Sequence, residues 1–183
     1  MSQYKIAVVV GSIRQDSLNR KLALALARLA PENFTFEHLR IDNLPLYNQD
    51  HDGKQAPEVL KFKSEIAAAQ GLLFVTPEYN RSIPGVLKNA IDIGSRPWGT
   101  NSFAGKRGAV IGASPGAIGS ALAQQHLRNV LSYLDVTTLP QPEVYLQFKD
   151  GTIDADGTIA GDGTRKFLQD FVDRYAAWVG AVR

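Results

Sequence analysis

Ile6-Ala7-Val8-Val9-Val10-Gly11-Ser12-Ile13-Arg14-Gln15-Asp16-Ser17-Leu18-Asn19-Arg20 is the segment on which the fold turns. Its first five residues form a continuous apolar, β-branched run. Such a run suits a parallel strand covered on both faces, where no polar alternation is needed. Gly11-Ser12 ends it. From Ser17 to Leu29 the residues Leu18, Leu22, Ala25, Leu26 and Leu29 recur at three- and four-residue steps, so one stripe of a helix is buried. Pro31 ends that helix. The polar residues between lie where a strand hands over to a helix N-terminus.

The same alternation runs outward to the end of the chain. Phe34 to Ile41 predicts a second strand. A polar loop, Asp42 to Ala56, is broken by Leu44-Pro45-Leu46-Tyr47, and Pro57 opens a helix that Gly71 closes. Leu72 to Thr76 is the third strand, Pro77 to Ile83 a loop, and Pro84 opens the next helix. Gly108 to Ala113 is the fourth strand, broken by Ser114-Pro115-Gly116, and a helix covers Ile118 to Leu134. Val136 to Leu139 reads as a short fifth strand, stopped by Pro140 and Pro142. A Gly/Asp-rich stretch, Asp150 to Gly163, leads into a last helix, Lys166 to Val179. Five strands alternating with five helices predict one α/β domain over residues 1–183, a parallel sheet with helices on both faces. Ligands of such sheets sit beyond the carboxyl ends of the strands, which points to the loops after strands one, three and four.

Composition narrows the function. With no cysteine, disulfides, thiolate metal sites and cysteine nucleophiles are excluded. The net charge of +2 is spread without a Lys/Arg run, which sets nucleic acid aside. No apolar stretch is long enough for a bilayer, and Met1 to Lys5 lead straight into the first strand without a signal peptide, so a cytoplasmic location is expected. His38, His51 and His126 are not at metal-ligand spacing. Asp150, Asp154, Asp156 and Asp162 do not follow an EF-hand pattern and read as turn residues, so no metal is expected. Trp98 and Trp178 are expected in the core or at an interface.

The loop after strand one offers hydroxyls (Ser12, Ser17), a guanidinium (Arg14) and an amide (Asn19) around a helix N-terminus, a set suited to phosphate. Ser17 alone reads more readily as a helix cap. Gly11 stands without the further glycines of a dinucleotide fingerprint, and the Gly-Lys-Ser/Thr end of a P-loop is missing. The loop Pro77-Glu78-Tyr79-Asn80-Arg81-Ser82-Ile83-Pro84-Gly85 has a stiff, Pro-bounded backbone, with Tyr79 to lie along a flat ring and Asn80 to orient it. The loop Ser114-Pro115-Gly116 is small enough for close approach of backbone to ligand.

Together these motifs resemble the NAD(P)H-dependent FMN reductase family, and especially its chromate- and quinone-reducing branch. The resemblance rests on Gly11-Ser12-x-Arg14-x-x-Ser17-x-Asn19, on Pro77-Glu78-Tyr79-Asn80 with Pro84-Gly85 and Leu87-Lys88-Asn89-Ala90-Ile91-Asp92, and on Gly105-Lys106, Ser114-Pro115-Gly116 and Leu44-Pro45-Leu46-Tyr47-Asn48. It covers nearly the whole chain. It implies a flavodoxin-like three-layer sandwich with a five-stranded sheet in the order 2-1-3-4-5. It also implies bound FMN and a homodimer or homotetramer with sites at subunit interfaces, where Trp98 could border a neighbour's flavin. The residues that would hold FMN are Ser12, Arg14, Ser17, Asn19, Pro77, Glu78, Tyr79, Asn80, Ser114 and Gly116. Arg81 stands where many relatives carry an aromatic, and it is assigned to the substrate. The expected reaction is ping-pong hydride transfer from NADPH or NADH to FMN, then to quinones, chromate, azo dyes or free flavin, with no catalytic protein residue. The alternative is a flavodoxin-type electron carrier without a nicotinamide site, which the mildly basic isoelectric point of about 8.9 disfavours.

Overall fold

The computed structural model describes residues 2–181. Its elements are β1 (Tyr4–Val10), α1 (Leu18–Arg28), β2 (Phe34–His38), a 3-10 turn (Gln49–His51), α2 (Pro57–Ala68), β3 (Gly71–Val75), α3 (Gly85–Gly94), β4 (Arg107–Ser114), α4 (Ala121–Tyr133), β5 (Thr137–Thr138), β6 (Tyr145–Gln147) and α5 (Asp162–Gly180). All strand pairs in the sheet are parallel, in the order β2-β1-β3-β4-β5, with β6 also paired to β4. This is the flavodoxin-like arrangement.

The apolar run of β1 behaves as its sequence predicts. Ile6, Val8 and Val10 face a core completed by α1 and α5, while Ala7 and Val9 face one completed by α2, α3 and α4. The two-residue period of a strand sends alternate side chains to opposite layers, so a strand buried on both sides has no polar position. Tyr175 of α5 is 1% exposed, and its hydroxyl donates to the Leu72 carbonyl at 2.8 Å, which satisfies the one polar atom it carries inward.

Several elements differ from the sequence expectation, among them α5, which starts at Asp162 and not at Lys166. The second strand ends at His38, not Ile41. The fifth position of the sheet is shared by two short strands: β5 pairs with the start of β4 (Arg107, Gly108), and β6 with its end (Gly112 to Ser114). The prolines 140 and 142 lie between these strands and interrupt the edge, as proline must when it has no N–H for the ladder. Helix α4 starts at Ala121, three residues after Ile118, because Gly119 and Ser120 both take left-handed conformations (φ 60° and 67°).

The Gly/Asp-rich stretch is folded back on α1. Ile153 and Ile159 form an antiparallel bridge, Asp156 accepts from the Thr158 N–H at 3.0 Å, and Arg28 pairs with Asp156 at 3.0 Å. Asp154 and Asp156 serve turn geometry, whereas Asp162 opens α5. Among the described residues, no group of three or more His, Asp or Glu side chains gathers at a metal-binding distance. No helix is long and apolar enough to cross a membrane. Trp98 is 78% exposed and so is not a core residue, whereas Trp178 is half-buried under the Arg107 guanidinium, 4.4 Å from its ring.

One glycine governs how the carboxyl end of the sheet closes. A Cβ on Gly112 would collide with the Thr76 backbone oxygen at the end of β3 and with the Ser120 hydroxyl before α4. Neither can retreat, since one is main chain and the other is fully buried. Gly112→Ala is therefore expected to cost about 3 kcal/mol or more, at the upper end for overpacking, and a denaturant melt of the variant against wild type measures it.

Candidate functional site

The loops after β1, β3 and β4 meet at one end of the sheet. They line a cavity of about 220 Å³ with Ser12, Arg14, Ser17, Leu18 and Asn19 on one side, Pro77, Glu78 and Tyr79 on another, and Ala113, Ser114 and Pro115 on the third. Of the residues singled out from sequence, Ser12, Arg14, Ser17, Asn19, Pro77, Glu78, Tyr79 and Ser114 are in this lining. Asn80, Gly116 and Arg81 are not. Asn80 and Arg81 form the tip of an exposed turn, and Gly116 lies in the turn that precedes α4.

The first side of the cavity is built on a helix start. Ser17 is the N-cap of α1, and its hydroxyl oxygen accepts from the Arg20 N–H at 3.2 Å. Its own hydrogen stays available to donate. The N–H groups of Leu18 and Asn19, in the first turn, have no carbonyl four residues back and carry the positive end of the helix dipole. Hydroxyls, a guanidinium and free backbone N–H groups together make a donor set that fits a phosphate monoester.

Asn19 does something else with its side chain. It is 2% exposed, and its carboxamide donates to the Ala113 carbonyl and accepts from the Ala113 N–H, both at 3.0 Å. The amide locks α1 to the end of β4, and its donor and acceptor are both engaged there. Sequence spacing gives no sign of this contact, since the partners are ninety-four residues apart.

The second side has a similar division of labour. The Glu78 carboxylate accepts from the N–H groups of Leu122 and Ala123, at 3.0 and 3.1 Å. Helix α4 needs this help because its own N-cap residue, Ser120, is left-handed and offers no side-chain bond. Glu78 thus caps a helix forty-four residues on and pins the β3 loop to α4. Beyond it, Tyr79 and Ser82 exchange backbone hydrogen bonds (3.0 and 2.9 Å) around Asn80 (φ 51°) and Arg81 (φ 62°). Two consecutive left-handed residues define a type I′ turn. Asn tolerates that conformation. Arg does not, and it holds the strain at a cost of about 1–2 kcal/mol. His126 of α4 braces the turn through the Ser82 hydroxyl at 3.0 Å. Tyr79 itself is 54% exposed at the mouth of the cavity.

The third side is held by short-range bonds. Ser114 donates to the Gly116 carbonyl at 3.0 Å, and its own carbonyl accepts from Phe148 at 2.8 Å. A Cβ at Gly116 would meet nothing closer than the Ser114 hydroxyl at 3.8 Å, so open space lies beside that glycine.

The family model described as NADPH-dependent FMN reductase matches residues 4–151. A 2-hydroxy-1,4-benzoquinone reductase from a Burkholderia species is 59% identical over 176 residues, 96% of each chain. A quinone reductase from Pseudomonas putida is 50% identical over 98% of this chain and 97% of its own. Among solved structures, the flavoenzyme NAD(P)H:(acceptor) oxidoreductase FerB from Paracoccus denitrificans superposes with a TM-score of 0.93 at 46% identity, covering 97% of each chain.

The Glu78 cap is open to test. Glu78→Ala removes acceptor and charge together and is expected to lower stability by about 1–2 kcal/mol. Glu78→Gln keeps one acceptor oxygen and should recover part of the loss. Equal melting temperatures for all three proteins would show that α4 does not depend on this carboxylate.

Proposed function

Since the chain belongs to the NADPH-dependent FMN reductase family, we propose that it holds FMN in the three-loop cavity and moves two electrons from NAD(P)H to a quinone. The observation that carries the reading is the convergence of a phosphate-type donor set with two further loops around one cavity. FMN, when bound, supplies the redox chemistry: it takes a hydride from the nicotinamide and releases two electrons to the acceptor.

The protein's part is binding and orientation. Ser12, Ser17, Arg14 and the first N–H groups of α1 hold the phosphate. The main chain of Pro77 to Tyr79 and the Ser114-Pro115-Gly116 turn border the ring, with Tyr79 along its edge. Asn80, at the turn tip, reaches the ring only from outside the cavity lining, and its assignment rests on the family motif. No side chain has to donate or abstract a proton during hydride transfer, so we assign no catalytic residue. Hydroxyquinones are vinylogous acids and carry negative charge at neutral pH. Arg81, held outward beside Tyr79, offers such acceptors a cation, and chromate and sulfonated azo dyes share that charge.

We read residues 1–183 as one such domain, cytoplasmic and assembled as a homodimer or homotetramer. Trp98 and Tyr133, 78% and 71% exposed, flank one cavity of about 380 Å³ and give two copies an apolar surface to cover.

Purified protein is expected to show the visible bands of oxidised flavin and to bleach on anaerobic addition of NADPH without a partner reductase. Protein that takes up FMN but is not reduced by either nucleotide would be an electron carrier instead. Arg14→Ala removes one charge-assisted contact and should weaken FMN binding about tenfold or more, measured by quenching of flavin fluorescence. Arg81→Ala is expected to raise KM severalfold for an anionic hydroxyquinone and leave that for an uncharged quinone alike in both proteins. Equal change for the two acceptors would remove Arg81 from the substrate site.

A further inference from the structure

A second polar cavity, about 160 Å³, opens on the other flank of the loop after β1. Ser12 lines both cavities. Here its neighbours are Ile13 of the same loop, Arg20 of α1, and His38, Arg40 and Asp42 at and beyond the carboxyl end of β2. None of these five has a role in the flavin cradle described above.

The charges in this cavity are out of balance. Arg40 is paired in bidentate fashion with Asp42, Nε to one carboxylate oxygen at 2.7 Å and an Nη to the other at 3.2 Å. That pair neutralises the carboxylate. Arg20 takes part in no ion pair among the described residues. It also stands in the first turn of α1, where the helix dipole disfavours a cation and no acidic residue compensates. His38 feels the consequence: partial burial, and after it the Arg20 charge, holds its imidazole below the ordinary pKa. Two guanidinium groups against one carboxylate, with a hydroxyl and an imidazole beside them, leave an oxyanion seat with one positive charge in excess. Ile13, also in the lining, is 60% exposed, so its apolar side chain is open to the flat ring of a ligand.

We propose that this cavity receives the 2′-phosphate of NADPH, with Arg20 as the principal contact, Arg40 as the second and Ile13 against the adenine, so that it sets the preference for NADPH over NADH. The inference rests on the reductase reading and specifies its electron donor. A phosphate monoester carries about two negative charges and three acceptor oxygens, which matches the unneutralised guanidinium and the free donors of the second. NADH has only a ribose hydroxyl there and gains nothing from Arg20. Because Ser12 belongs to both cavities, the two phosphates would lie on opposite flanks of one short loop, and the donor would approach along the loop that holds the flavin.

The test uses the FMN-loaded protein. Wild type, Arg20→Ala and Arg40→Ala are compared for kcat/KM with NADPH and with NADH. Binding of adenosine 2′,5′-bisphosphate, 5′-AMP and inorganic phosphate is measured by calorimetry. The expected result is a fall of about tenfold or more in the NADPH-to-NADH ratio of kcat/KM for Arg20→Ala, the size of a lost charge-assisted contact. A smaller fall is expected for Arg40→Ala. The bisphosphate should bind wild type well ahead of 5′-AMP and lose that advantage in Arg20→Ala, while the visible spectrum shows flavin retained. A ratio unchanged in both variants would overturn the proposal. So would loss of flavin from Arg20→Ala, which would move Arg20 to the FMN cradle, or inorganic phosphate binding as tightly as the bisphosphate, which would make the seat one for free phosphate. Failure of wild-type flavin to be reduced by either nucleotide would instead sink the reductase reading itself, a result visible before any variant is made.

Discussion

The Asn19 carboxamide is bonded to both backbone groups of Ala113, and the site depends on that bridge. It fixes the start of α1 against the end of β4, across the face of the sheet, with both residues buried. Break it and Ala113 is left with an unpaired N–H and C=O in a buried position, at about 1–3 kcal/mol for each group. The Glu78 carboxylate makes the corresponding link between the β3 loop and α4. With Gly112 allowing Thr76 and Ser120 to close over β4, these contacts turn three independent loops into one rigid rim. A ligand held by such a rim has little loop entropy to offset on binding.

The distribution of roles inside the family motifs follows from this. Residues that sequence reading assigned to the ligand are partly consumed by the scaffold. Asn19 and Glu78 point their side chains at main chain, and Ser17 spends its lone pair on Arg20 while keeping a hydrogen to give. Arg14 and Ser12 remain as free donors, beside the helix N–H groups. A motif therefore marks the neighbourhood of a site more faithfully than it marks which atoms touch the ligand. Backbone donors, in particular, have no residue signature at all.

Much of the fold was legible because its signals are local. The buried run of β1, the helical stripe of α1 and the proline at the start of α2 each need only a dozen residues of context. What was missed is either too short or too distant. Tyr145-Leu146-Gln147 is three residues long and shows no period, so β6 went unseen. Ile118 looked helical, yet the left-handed Gly119 and Ser120 delay α4 until Ala121. The Asn19–Ala113 and Glu78–Leu122 bonds join points far apart in the chain, and spacing rules carry no information about them. For the candidate site, the three loops could be found from their place after strands one, three and four, whereas the orientation of each side chain could not.

The turn tip shows how local strain and site chemistry are coupled. A type I′ turn asks for Asn-Gly, and this chain supplies Asn80 but then Arg81. Glycine would remove the strain and would also remove the guanidinium from the turn tip. The turn holds its shape because Tyr79 and Ser82 pair across it and His126 braces Ser82 from α4, the helix that Glu78 caps. One network thus stabilises the helix, sets the turn and bears the cost of an unfavourable Arg81. Among the described residues the Arg81 side chain makes no hydrogen bond or ion pair, so what offsets its strain is the backbone pairing of Tyr79 with Ser82 and the brace from His126, not any contact of its own.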